Sequence, residues 1–156
     1  MPTFIAIDIE TSGLYPVSGS KIYCIAVNTG KSIQVYEDAH KVKAVLEDKS
    51  IVKVIHNATF DCFWLKRIWG VNITNIWDTR LMEQVLIGEN LPRSNKDEKL
   101  REQLSSSLVY TLKRYGLAEL EGKKGGQNIG AKFATRSKYA PLSKEEIDYA
   151  KNDVKW

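Results

Sequence analysis

Four consecutive apolar residues, Phe4 to Ile7, run directly into Asp8-Ile9-Glu10. An apolar run of this kind reads as a strand buried on both faces, the centre of a sheet. Strand side chains alternate, so Asp8 and Glu10 leave the same face, their Cα atoms ~6.6 Å apart at ~3.3 Å rise per residue. Two acids side by side at the end of a central strand repel each other and lose hydration. A bound divalent cation reverses that cost. The plainer alternative is a strand that simply emerges into solvent at Asp8.

The rest of the chain extends this strand into an α/β domain. Lys21–Asn28 and Ser32–Tyr36 are β-rich runs joined by Thr29-Gly30-Lys31, the spacing of a hairpin. Ile51–Ile55 and Asn75–Trp77 read as further strands. Helical spacing predicts helices over Ala39–Glu47, over Thr59–Trp69 up to Gly70, and after a cap at Asp78. The stripe Leu104, Leu108, Leu112, Tyr115 predicts another, stopped by Gly116. Ser143-Lys144-Glu145-Glu146 is a capping box that opens the last one. The expected architecture is a single α/β domain over residues 1–156. Its central mixed sheet has about five strands, the first three antiparallel, flanked by helices. Gly88–Glu102 reads as a polar surface excursion.

Composition narrows the setting. No apolar stretch approaches the ~18 residues of a membrane span, and no secretory signal opens the chain. Cys24 and Cys62 read as reduced thiols of a cytoplasmic protein. Two cysteines and the distant His40 and His56 do not make a zinc site. A formal net charge of +4 leans toward polyanionic partners.

Three further residues join Asp8 and Glu10 as anomalies. Asp61 precedes Trp64, Leu65 and Ile68 at helical spacing, so it borders a buried face. An acid in a helix's first turn also complements the dipole, which is its ordinary explanation. Tyr149 and Asp153 share a helix face beside the stripe of Ile147, Ala150 and Val154, where they can equally be polar flankers of a core stripe. Together, four acids on three elements can converge on two divalent ions, Mg²⁺ or Mn²⁺, for phosphodiester hydrolysis. Tyr149, with an ordinary pKa near ~10, suits positioning better than proton abstraction.

These residues resemble the motifs of the DEDD superfamily of 3′→5′ exonucleases. Asp8-Ile9-Glu10-Thr11 is similar to the first motif, Asn57 to Asp61 to the second, and Tyr149 to Asp153 to the third. Position 148 is Asp rather than His, so the chain resembles the tyrosine subclass, which includes proofreading domains of family A DNA polymerases and ribonuclease D. The resemblance implies a ribonuclease H-like fold and a metal held by Asp8, Glu10 and Asp153. It further implies a second metal bridged by Asp8, with Asp61 acting on it directly or through water. It also implies substrate contacts from Thr11, Leu14 and Asn57.

The expected substrate is a single-stranded DNA 3′ end, for proofreading in replication, released as nucleoside 5′-monophosphates. A family A polymerase domain is the expected partner in the same or another chain. The alternatives are a ribonuclease D-like RNA exonuclease and a catalytically silent nucleic-acid-binding module. Gly122–Tyr139 carries Lys123, Lys124, Lys132, Arg136 and Lys138 with no acid, and Phe133 and Tyr139 are interleaved. It reads as a basic loop tracking phosphates, with Lys132 and Arg136 as contacts and the aromatics stacking on bases.

Overall fold

The computed structural model describes residues 3–88, 99–100, 104–117 and 129–155. Most of the expected polar excursion, together with Lys123 and Lys124, lies outside the described residues.

Strand β1 spans Thr3–Thr11, β2 Ile22–Asn28 and β3 Ile33–Tyr36. A 3₁₀ turn at Ala39–Lys41 leads into α1, Lys43–Glu47. Then come β4, Ile51–Ile55, and α2, Ala58–Trp64, which widens into a π-helical turn over Leu65–Trp69. Strand β5 is Ile76–Asp78 and α3 is Thr79–Ile87. The remaining described helices are α4, Leu108–Arg114, α5, Ile129–Thr135, and α6, Lys144–Asp153. The sheet order is β3-β2-β1-β4-β5, with β1 central. β1 to β3 pair antiparallel, whereas β4 and β5 run parallel to β1 and to each other. The mixed five-stranded sheet expected from the sequence is therefore present. No described helix is long and apolar enough to cross a membrane.

Alternation along β1 sorts its side chains between two cores. Ile5, Ile7 and Ile9 pack with Leu46, Trp64, Leu65 and Val71 on the α1 and α2 side. Ala6, Asp8 and Glu10 belong to the opposite face, where Cys24 and Ala26 of β2 meet Ala150 and Val154 of α6. The sheet side chains there are small, so α6 lies close against β1 and β2. In register, Asp8 stands opposite Ala26 and Glu10 opposite Cys24.

Local signals account for the helix ends that matter to the site. The Ser143 hydroxyl accepts from the Glu146 amide at 3.2 Å, and Glu146 accepts from the Ser143 amide at 2.8 Å, completing the capping box. At the other end of α6, Asn28 Nδ2 donates to the Val154 carbonyl at 2.8 Å. Gly70 ends the α2 extension with φ 64°, a left-handed value that suits glycine. The helix expected to include Leu104 instead begins at Leu108, after Ser107 as N-cap.

Candidate active site

The packing of α6 delivers the two ends of the chain to one place. Ala150 and Val154 face the sheet, so Tyr149 and Asp153, one position earlier each, turn toward the β1 acids. The ligand oxygens of Asp8, Glu10 and Asp153 all lie within 4.8 Å of one another. Glu10 is buried, and the other two are half-buried. Asp153 also occupies the last turn of α6, where the helix dipole disfavours an anion. Like charge, burial and dipole all work against this cluster unless a cation joins it.

Asp61 sits deeper than the edge position its sequence suggested, at 2 % exposure. Burial, and then the charge of Asp8, push its carboxyl well above the usual range. Hydrogen bonds from its own amide and that of Ile9 oppose the shift. Its Oδ1 is buried and has no hydrogen-bond partner among the described residues. Hard oxygen donors, crowded and one of them orphaned, fit Mg²⁺ or Mn²⁺ and not a thiolate-seeking metal. Asp8, Glu10 and Asp153 are the residues placed to hold such an ion, with Asp61 facing Asp8.

Burial, then Asp153, Glu10 and Asp8 in turn, hold the Tyr149 hydroxyl above its ordinary pKa, so it stays protonated, and it hydrogen-bonds Asp153. Phe133 fixes the ring: it is 1 % exposed and lies between Tyr149 at 6.2 Å and Tyr23 at 5.9 Å, centroid to centroid. Cys24, opposite Glu10, is a free thiol pushed up to about 12, first by burial and then by Glu10, and is unreactive there.

The structure revises the reading of the basic segment. Phe133 is a buried wedge and cannot stack on bases. Arg136 is equally committed: its Nε pairs with Glu146 at 2.9 Å, Nη2 donates to the Ala140 and Pro141 carbonyls, and the guanidinium lies 4.7 Å from the Tyr23 ring centroid. Arg136 braces the entry to α6 and is not a free phosphate contact. Lys132 lies 4.0 Å from Glu145 and remains half exposed. Tyr139 is exposed, and Lys138 Nζ bonds the Gly19 carbonyl. Replacing Arg136 with Ala is therefore expected to cost about 3 kcal/mol, as for a buried ion pair losing one partner. A urea melt checks this. A variant of unchanged stability with a shallower salt dependence of single-stranded nucleic-acid binding would restore the phosphate role.

Thr11 Oγ1 donates to the Gly13 carbonyl at 2.8 Å and shapes the turn after β1. Trp64 Nε1 reaches the Leu14 carbonyl at 3.4 Å, while the Leu14 side chain stays exposed. Asn57 adopts a left-handed conformation, φ 73° and ψ 49°, just before α2. A cleft of about 620 Å³, walled in large part by Met82, Leu86, Leu108 and Leu112 of α3 and α4, also takes in Asp8, Asp153, His56, Asn57, Thr79 and Arg80.

Asp78 does more than the single helix cap expected of it. It accepts from Arg80 and Leu81 at the start of α3, and also from the Asn57 amide at 3.1 Å and the Ala58 amide at 2.9 Å at the start of α2. Sequence reasoning does not single out Arg80. A signal for it exists, because a cation in a helix's first turn opposes the dipole and calls for a tertiary reason.

The family described as 3′-5′ exonuclease matches residues 2–156. The chain is 28% identical over 123 residues to Exosome complex component 10 of Rattus norvegicus, covering 79% of this chain and 11% of that protein. The chain thus spans about a tenth of that relative's length. Its fold is similar to Escherichia coli RNase D, an exoribonuclease involved in structured RNA processing, with TM-score 0.65, 19% identity, and coverage of 97% and 36% of the two chains. It is also similar to Brucella melitensis NrnC, with TM-score 0.67, 21% identity, and coverage of 97% and 66%. Structures of NrnC with bound Mg²⁺ and bound to pGG are also similar. With the carboxylates of the first and third motifs gathered and Asp61 of the second buried beside Asp8, the chain belongs to the 3′-5′ exonuclease family of the DEDD superfamily.

Proposed function

We propose that this domain hydrolyses phosphodiester bonds at single-stranded RNA 3′ ends, one nucleotide at a time, releasing nucleoside 5′-monophosphates. The observation that carries the reaction is the convergence of Asp8, Glu10 and Asp153, with Asp61 buried beside Asp8. Asp8, Glu10 and Asp153 would hold one divalent cation, and Asp61, buried beside Asp8, would serve a second. When bound, such cations would lower the pKa of a water and neutralise the charge that builds on the leaving 3′-oxygen. Tyr149, kept protonated by burial and then by the acids around it, orients the attacking water through its hydroxyl. The buried ring of Phe133 holds Tyr149 in place, and the cleft past Asn57 receives the terminal nucleotide.

The choice of RNA revises the DNA proofreading expected from the sequence. The relative and the RNase D structure described above carry RNA-processing names, and neither name supports a polymerase partner. The test uses 5′-labelled single-stranded RNA, single-stranded DNA and duplex DNA with Mg²⁺. Single-nucleotide ladders shortening from the 3′ end are expected, with RNA cleaved at least about tenfold faster than DNA, a difference of ~1.4 kcal/mol at the barrier. Faster cleavage of DNA would return the domain to proofreading-type substrates. No cleavage with Mg²⁺ or Mn²⁺ would make it a silent binding module.

A further inference from the structure

Asn57 is held at both ends. Its backbone amide donates to Asp78 Oδ1 at 3.1 Å, and its side-chain Oδ1 accepts from Arg80 Nη1 at 3.2 Å. Arg80 is itself fixed, because its amide donates to Asp78 Oδ1 at 2.9 Å and its Nε faces Ser106 Oγ at 3.4 Å. A guanidinium offers only donors. Its bond to Asn57 therefore settles which way the amide is turned: Oδ1 faces Arg80, and the NH₂ group is what the side chain has left to offer. Both residues line the cleft that Asp8 and Asp153 also line.

We propose that Arg80 is a positioning residue that fixes Asn57 as an obligate hydrogen-bond donor toward an acceptor oxygen of the 3′-terminal nucleotide. The proposal rests on the reading of this cleft as the nucleotide site. It assigns Arg80 no contact of its own with substrate. It also makes the polarity of Asn57, rather than its mere presence, the property that matters. A free amide can rotate and present either oxygen or nitrogen. A clamped one discriminates between acceptors and donors before the substrate arrives, which lowers the ordering cost of binding.

Three substitutions separate this from a structural role. Asn57→Gly removes the amide while accepting the left-handed backbone. Asn57→Asp also tolerates that backbone and still accepts from Arg80, but it turns the donor into a charged acceptor. Arg80→Met keeps most of the side-chain length and removes the donors. Binding of a 5′-fluorescein single-stranded RNA is read by anisotropy in Ca²⁺. KM and kcat are read in Mg²⁺, and melting temperature is read for each variant.

The proposal expects Asn57→Gly to weaken Kd and raise KM about tenfold, the effect of one hydrogen bond to a charged or strongly polar group. Asn57→Asp should weaken binding further, although it melts no lower than wild type. Arg80→Met should weaken binding a few-fold, and adding it to Asn57→Gly should change nothing more, because it acts through Asn57.

Near-wild-type affinity in Asn57→Asp with loss in Asn57→Gly would show that the pair only braces the fold, and would overturn the proposal. So would additive losses in the double variant, which would place Arg80 on the substrate itself. If the wild-type chain cleaves nothing but the affinity ranking holds, the catalytic reading fails and this inference stands. If it cleaves and the ranking fails, the reverse is true.

Discussion

Replacing Asp153 with Asn is expected to lower Mg²⁺-dependent cleavage by at least about a thousandfold while the protein stays folded. Asp153 brings the only carboxylate from α6 into the cluster with Asp8 and Glu10. An amide has nearly the same shape but carries no charge, so a divalent cation loses one of three close anionic ligands. Metal assistance is worth several kcal/mol of transition-state stabilisation, and ~4 kcal/mol corresponds to ~10³ in rate. RNA affinity, which draws on the cleft more than on this carboxylate, should change only a few-fold.

In EDTA the same variant should melt higher than wild type. The substitution removes one of three crowded charges, and that charge sits at the disfavoured end of a helix. Tyr149→Phe is the contrast. It keeps every carboxylate and loses the hydroxyl that bonds Asp153, so kcat should fall about ten- to a hundredfold with the metal requirement unchanged. Single-turnover kinetics with a Mg²⁺ titration separate the two. Asp153→Asn retaining more than a tenth of wild-type activity would remove Asp153 from the metal site.

Much of this site is legible in the sequence itself, for reasons that differ by residue. The pairing of Asp8 with Glu10 follows from the two-residue period of a strand, and their neighbour Ile9 does fall on the other core. Tyr149 and Asp153 follow from the helical period, and the capping box at Ser143 fixes where that period starts. What no periodicity carries is tertiary pairing. Glu146 illustrates this, because one of its oxygens completes the capping box while the other binds Arg136. In the sequence, Arg136 is one more cation in a lysine-rich stretch. Phe133 likewise reads as an exposed aromatic, because nothing local tells of Tyr23 on one side and Tyr149 on the other. The depth of Asp61 depends on how α2 lies against β1, which its own apolar stripe shows only in part. Substrate choice is the least legible. The acids act on any phosphodiester, whereas RNA and DNA are told apart at the 2′-hydroxyl.

Asp61 carries the second large prediction, which concerns stability rather than rate. Burial and the charge of Asp8 raise its folded-state pKa well above the ordinary carboxylate range, and its Oδ1 has no partner among the described residues. The linkage sign follows from that direction. A carboxyl whose folded pKa is raised binds its proton more tightly in the folded state than in the unfolded one. Its contribution to stability is therefore fully present below the unfolded value of ~3.9 and is lost as pH rises through the folded value.

In EDTA, wild type should lose this contribution as pH rises from about 4 toward neutrality and above. Adding Mg²⁺ or Mn²⁺ should restore stability at high pH, because a ligand that binds only the folded state raises its melting temperature. Asp61→Asn cannot ionise, so this part of the pH dependence should vanish. In EDTA at about pH 8 the variant should melt higher than wild type by at least about 2 °C, the shift that ~1 kcal/mol produces in a domain of this size. Its gain on adding Mn²⁺ should shrink, and its cleavage should fall at least about a hundredfold with the lost ligand. Melts near pH 5 and near pH 8, each with EDTA or Mn²⁺, separate these outcomes. If Asp61→Asn melts lower than wild type at the higher pH without metal, the carboxylate is held by stabilising contacts, and the strain that a metal would relieve is not there.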